Sequence, residues 1–181
     1  IKFKNPLIIG SSGLTNTVEK VKALADNNAG GIILKSIFEE QIISEYSQTT
    51  NHSTSNGYQE AYDYISNYHK EDALSKYISL IKECKRITDI PIIASVNCVS
   101  NNEWVEMAKK IEDSGADGLE LNIFILPSDI SKTSAQNEEL YFTILENVRK
   151  SVRLPLALKM SNQSSGLGRL IKEIAGSDLV D

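Results

Sequence analysis

Apolar runs rich in Ile, Val and Leu alternate along the chain with segments whose apolar residues recur at helical spacing, and the alternation is completed five times. Short unbroken apolar runs suit strands buried on both faces, and the helical segments suit amphipathic covers, so the pattern predicts five successive βα units on a parallel sheet. The first strand is "PLIIG", followed by a helix with Val18, Val21, Leu24 and Ala25 on one face, Asn16 and Glu19 as its N-terminal cap and Gly30-Gly31 as its stop. The second strand, "GIILKS", leads into a polar region from about Ile42 to Lys70. A loop of that length reads as a lid or binding loop, with local disorder the rival reading.

Helical spacing resumes with Leu74, Tyr77, Ile78 and Ile81 and leads to a third strand, "IPIIASVN". Ser100 and Glu103 have the spacing of a capping box before a helix carrying Trp104, Ala108 and Ile111, and Gly115 ends that helix. The fourth strand, "DGLELNI", precedes an irregular stretch and a helix with Leu140, Tyr141, Ile144 and Val148. The fifth, "LPLALKM", passes through a Ser/Gly turn to a helix with Leu167, Leu170, Ile171 and Ile174. No internal repeat closer than the βα alternation itself is visible.

Five βα units fit either a doubly wound open sheet or part of a (β/α)8 TIM barrel, and both folds bind ligands at the C-terminal ends of their strands. Here Ser11-Ser12-Gly13, Lys35-Ser36, Ser95 with Asn97, Asn122, and Lys159 each close a different strand. Polar groups from five strand ends meeting at one mouth favour the barrel. No G-x-G-x-x-G follows the first strand and no P-loop occurs. The expected architecture is a partial barrel of about five βα units, a single N-terminal portion of a barrel domain spanning residues 1–181, with a long loop at about 42–70.

Composition narrows the function class. With 41% hydrophobic and 24% charged residues and a formal net charge of -5, the 181-residue chain lacks the basic surface that nucleic acid requires, and small-molecule chemistry is left. No apolar run approaches the roughly 18 residues of a membrane span, and the N-terminus lacks a signal-peptide layout, so no membrane partner and a cytoplasmic location are expected. Cys84 and Cys98 are far apart, and His52 and His69 share one polar stretch, so no metal site is expected. The chain begins at Ile1 and ends on "SDLVD", where an apolar run starts, which suggests a piece of a longer protein.

A lysine closing an apolar strand either packs its stem and reaches solvent or is put to use. Lys35 and Lys159 both stand at such places. Two uses are open: a Schiff-base amine of a barrel aldolase, or a fixed cation beside a cofactor's phosphate or reduced ring. Asn122, two residues after Glu120 on the same strand face, can donate and accept at once, which suits a heterocycle with adjacent C=O and N–H groups or a backbone cap. Ser95 and Asn97 form a similar pair on the third strand.

The ordered set "KNPLIIGSSG", "LKS", "IIASVN", "GADGLELNI" and "LALKMS" resembles the dihydroorotate dehydrogenase family of flavin-dependent barrels, in its divergent branch. The resemblance implies an FMN across the barrel mouth and removal of hydrogen from the CH–CH bond of dihydroorotate or a related dihydropyrimidine-like small molecule. It assigns Ser11, Ser12 and Gly13 to the turn against the flavin, Lys35 and Ser36 to cofactor and substrate, and Asn122 and Lys159 to the flavin's pyrimidine edge. Ser95 falls where the family has an asparagine, and Asn97 stands in for it as a cofactor contact. Lys35 and Asn122 are the catalytic candidates, and a homodimer is the expected assembly. The departure is the base. Where the family carries a proton-abstracting residue after "ELN", this chain has Ile125, which cannot accept a proton; Ser128, the candidate taken, and Asp129 lie nearby and Cys98 follows the third strand, but none has the family's spacing. A Schiff-base aldolase using Lys159 or Lys35, and a non-catalytic flavin- or metabolite-binding barrel, are the alternative readings.

Overall fold

Each Ile/Val/Leu run becomes a strand because its alternate side chains are needed on two buried faces at once. The structure is a computed structural model and describes residues 1–38, 59–97 and 101–181. Its elements are β1 (Ile8–Ile9), α1 (Val18–Asp26), β2 (Gly31–Ile33), β3 (Ile37–Phe38), α2 (Gln59–Ile87), β4 (Ile92–Asn97), α3 (Asn101–Glu112), β5 (Gly118–Ile123), α4 (Ser134–Arg149), β6 (Leu156–Met160) and α5 (Leu167–Ala175). All strand pairs are parallel, in the order β1-β2-β4-β5-β6, with β3 also on β4. The order follows the chain without the reversal that defines a doubly wound sheet, so the sheet is an arc of a barrel.

On the helix side Ile32, Ile92, Ala94, Val96, Leu119, Leu121 and Leu156 are buried against Val21, Ile81, Trp104, Ala108, Ile111, Leu145 and Val148. Each fully buried Ile or Leu contributes about 1.5–3 kcal/mol, and this layer is the core. The opposite face is tiered by the register. Ile93 pairs with Gly118 at the bottom; Ser95, Glu120 and Ala157 form the next tier, and Asn122 and Lys159 the one above. The N-terminal segment closes the bottom: a Cβ on Gly31 would lie 2.6 Å from the Phe3 ring, and one on Gly118 2.8 Å from Ile1 Cδ1.

The predicted second strand is interrupted. Ile33 pairs with Ile93 and Ile37 with Val96, so one side takes four steps where β4 takes three, a bulge at Leu34–Ser36. Strict alternation along "GIILKS" would send Ser36 to the helix side; the extra residue turns it to the inner face, next to Ser95. Pro91 and Ile93 offer their carbonyls to β2, accepting from Ile32 N (3.0 Å) and Leu34 N (2.9 Å). Past the bulge Ser95 finds a substitute in Tyr77 of α2, whose hydroxyl accepts from Ser95 N (2.8 Å) and donates to Ser95 O (3.2 Å).

A clamp at the strand starts recurs with identical spacing. Asp117 accepts from Ile92 N (2.7 Å) and from Lys85 Nζ, standing 25 and 32 residues beyond them; Asp181 accepts from Leu156 N (2.9 Å) and Arg149 at the same two intervals. Both aspartates also donate their own N–H to the same strand residue's carbonyl. Two βα units separate the copies, a repeat carried by geometry and invisible in composition.

Several local expectations are corrected. Thr17, not Asn16, caps α1, accepting from Lys20 N, while Asn16 Oδ1 accepts from Lys20 Nζ. Gly30-Gly31 does not stop that helix, which ends at Asp26 with Asn27 as C-cap and Asn28 at φ 71°; the two glycines instead admit Asn5 and Phe3. The polar region is not loop up to residue 70, because α2 already runs from Gln59. The rest of that region, Cys98 and the Ser100 end of the proposed capping box lie outside the described residues. Leu140 and Ile171 are more exposed than a core face requires (37% and 49%), whereas Gly115 does end α3, at φ 86°.

Candidate functional site

On the inner face, three hydroxyls and a carboxylate from four successive strands form one hydrogen-bonded chain. Ser11, after β1, lies 3.0 Å from Ser36 Oγ and accepts from Ser36 N (2.8 Å); Ser36 lies 2.6 Å from Ser95 Oγ, and Ser95 donates to Glu120 Oε1 at 2.7 Å. Ser36, Ser95 and Glu120 are buried and Ser11 is half-buried at the strand ends, so the chain runs from the interior up to the mouth. The turn that presents Ser11 is stiff. Buried Thr15 donates to Ser12 O and accepts from Ser12 N, Ser12 Oγ accepts from Leu14 N, and Lys35 N donates to Thr15 O. Tyr77 holds the middle of the chain from behind, and burial pushes its phenol above the ordinary tyrosine range.

The upper tier is chemically open. Lys35 and Lys159 are exposed, Asn97 and Asn122 half-buried, and none of these four side chains hydrogen-bonds another described residue. Asn122 and Lys159 are register partners on adjacent strands, which puts their backbones about 4.8 Å apart with both side chains on the inner face. Above the first turn there is room, since a Cβ on Gly10 or Gly13 would meet nothing within 4 Å. The arrangement joins one fixed hydroxyl, two amides that can donate and accept, and two cations at the C-terminal ends of five strands.

The loop after β5 stands apart. Ser161 Oγ donates to Ile125 O (3.0 Å), Asp129 is occupied by Ser131 N and Oγ, and Ser128 is exposed with its N–H on Leu126 O. None of these joins the hydroxyl chain. A side cavity of about 330 Å³ opens beside this loop, lined by Ile125, Pro127, Glu138, Tyr141 and Ser164, with Ser164 donating to Glu138 at 2.6 Å. Cys84 is buried, and burial raises its thiol to about 11, so it stays protonated and inert at neutral pH. Among the described residues no group of three His, Cys, Asp or Glu could hold a metal, and no helix is long and apolar enough to cross a membrane.

A family model described as dihydroorotate dehydrogenase matches residues 1–174. The chain belongs to the dihydroorotate dehydrogenase family. Over 98% of its length it is 25% identical to the catalytic subunit of dihydroorotate dehydrogenase B (NAD(+)) of Thermoplasma volcanium, of which it covers 57%. It is 28% identical to the corresponding protein of Methanocaldococcus jannaschii (89% of this chain, 52% of that one). It is 24% identical to the NAD-dependent dihydropyrimidine dehydrogenase subunit PreA of Escherichia coli (89% and 40%). The chain spans about half the length of the curated relatives it matches. Dihydrodipicolinate synthases of Agrobacterium tumefaciens and Oceanobacillus iheyensis share the fold, with TM-scores of 0.56 and 0.54 at 15% identity, over 96% of this chain and 52% and 50% of theirs.

Of the site residues expected from sequence, the structure joins Ser11, Ser36 and Ser95 by hydrogen bonds and sets Asn122 beside Lys159. Ser12 and Gly13 lie in the stiff first turn, and Lys35 lies in the bulge. Sequence reasoning missed Glu120 and Tyr77 as site residues, placing Tyr77 only on the apolar face of its helix. The signal for Glu120 was present, a carboxylate in a strand otherwise buried on both sides. No sequence signal marks Tyr77, because its role follows from a bulge on another strand.

Proposed function

We propose that the complete protein is an FMN-dependent oxidoreductase acting on the CH–CH bond of a dihydropyrimidine-like substrate, with the flavin lying across the mouth on the Ser11–Gly13 turn. The observation that carries this is the open upper tier: Asn97, Asn122, Lys35 and Lys159, without partners among the described residues, over a saturated hydroxyl chain. Polar groups are left without protein partners where a ligand supplies them. The residues fit the group: amides of both hydrogen-bonding senses for a ring bearing adjacent C=O and N–H, open space over Gly10 and Gly13 for a flat ring, and Lys159 where a cation offsets negative charge. A bound flavin supplies hydride acceptance.

This chain's own residues orient and polarise. The backbone of Asn122 is fixed in the β5–β6 ladder, which carries its amide on the inner face beside Lys159. Lys35 leaves the sheet at the bulge, free to reach a ligand's anionic group. The catalytic base is a separate matter: Ser128 is the nearest hydroxyl on the β5–α4 loop, and Ile125 takes no proton. The relatives' names, dihydroorotate dehydrogenase B and dihydropyrimidine dehydrogenase, support a dihydropyrimidine-like substrate, and both name subunits, which supports a partner chain in addition to self-association. The names of the curated relatives, all dehydrogenases, favour the redox reading over a Schiff-base aldolase. Incubating the purified full-length protein with FMN, removing free flavin and recording the spectrum with and without dihydroorotate or dihydrouracil tests both parts. Bound flavin that bleaches on substrate addition is expected; bound flavin that none of these substrates bleaches contradicts the reaction.

A further inference from the structure

We propose that Glu120 is a positioning residue that sets the direction of the entire hydroxyl chain, so that Ser11 at the barrel mouth acts toward its ligand only as a hydrogen-bond acceptor. For the identity of that ligand the inference rests on the flavin reading; for the direction of the chain it rests on the Ser95–Glu120 hydrogen bond.

Each serine hydroxyl has one hydrogen to give. Ser95 gives its hydrogen to Glu120 Oε1 at 2.7 Å. The 2.6 Å contact between Ser36 and Ser95 must then be donated by Ser36, and the 3.0 Å contact between Ser11 and Ser36 by Ser11. Ser36 N fixes the end of the sequence by donating to Ser11 Oγ at 2.8 Å. Ser11 is left with its hydrogen spent, one lone pair filled and one lone pair facing the mouth. Ser95 is fully buried, and Ser36 and Glu120 are only 5% and 7% exposed, so water does not break the sequence. Hydrogen bonds aligned this way polarise one another, which strengthens the commitment.

A ligand meeting Ser11 must therefore present an N–H or O–H. On a flavin that restricts the contact to the ring N–H or a ribityl hydroxyl and rejects the ring's carbonyl oxygens and unprotonated nitrogens. Glu120, out of reach of the ligand, would determine the pose at a strand end three serines away.

The test uses the full-length protein and FMN, with affinity read from flavin fluorescence quenching. Ser11→Ala and Ser36→Ala are each expected to weaken FMN binding about five- to tenfold, with Ser36→Thr, which keeps the hydroxyl, restoring it. The double variant Ser11→Ala/Ser36→Ala should be no weaker than Ser11→Ala alone, because Ser36 acts through Ser11; additive losses would overturn the proposal. Neutron diffraction from deuterated crystals reads the direction without a flavin. Deuterons pointing from Ser11 to Ser36, Ser36 to Ser95 and Ser95 to Glu120 support the proposal, and a deuteron pointing from Ser36 to Ser11 overturns it. If no variant or wild type binds FMN while the deuterons point toward Glu120, the flavin reading fails and the directed chain stands.

Discussion

Removing one oxygen atom, in Tyr77→Phe, isolates the contribution of the bulge to the site. The ring and its packing against the core stay, while the hydroxyl that accepts from Ser95 N at 2.8 Å and donates to Ser95 O at 3.2 Å is lost. Ser95 is fully buried and its carbonyl keeps the ladder in which β3 pairs with β4, so it is Ser95 N that would be left without a partner in a place water does not reach. An unsatisfied buried polar group costs about 1–3 kcal/mol, which is the loss expected for Ser95 N. Against the roughly 5–15 kcal/mol that holds a domain together, this is a large fraction. Equilibrium urea unfolding of the full-length protein, followed by circular dichroism, should show the midpoint falling at an unchanged slope. A loss below about 0.5 kcal/mol would mean that Ser95 finds other partners and that the bulge is not what Tyr77 serves.

Three further outcomes follow from the fold. Asp117→Ala, which strips Ile92 N and Lys85 of their common acceptor, should cost about 1–3 kcal/mol in the same unfolding assay, with Asp117→Asn recovering part of it; equal losses for the two would contradict the backbone contact. Gly31→Ala drives a methyl into the Phe3 ring and should cost about 1–3 kcal/mol, and combining it with Phe3→Ala should cost less than the two single losses together, as expected for residues in contact. Asp181 is held below the usual carboxylate range first by Leu156 N and then by Arg149. A depressed folded-state value means its contribution is present above the unfolded value, near pH ~4, and fades as the pH falls through the folded one. The stability gap between wild type and Asp181→Asn should therefore be full at neutral pH and shrink below about pH 4; a gap that stays constant into acid contradicts it.

Much of the architecture was legible in the chain. The five apolar runs and the helical faces of Val21, Trp104, Ala108, Ile111 and Val148 are set by burial, which the hydrophobic pattern reports directly. The choice of a barrel over a doubly wound sheet rested on polar residues at five strand ends, and the parallel order in chain sequence agrees. The expectations that failed depended on geometry between elements. The bulge at Leu34–Ser36 shows in no local pattern, because "GIILKS" alternates well enough as an unbroken strand; it follows from pairing with β4. Ser36, Ser95 and Glu120 are far apart in sequence; the register of β4 on β5 brings Ser95 to Glu120, and the bulge brings Ser36 to Ser95. Gly30 and Gly31 read as a helix stop because glycine serves both helix ends and close approaches, and only the positions of Asn5 and Phe3 tell which.

The proposed function places a flavin across the mouth of this arc. Titration of the purified full-length protein with FMN, followed at flavin wavelengths and by quenching of flavin fluorescence, measures it directly. Saturable binding of one FMN per chain is expected, weakened at least fivefold by Asn122→Ala and by Lys159→Ala, whose side chains share the upper tier. Protein that stays colourless after incubation with FMN, or FMN binding indifferent to both substitutions, would contradict it.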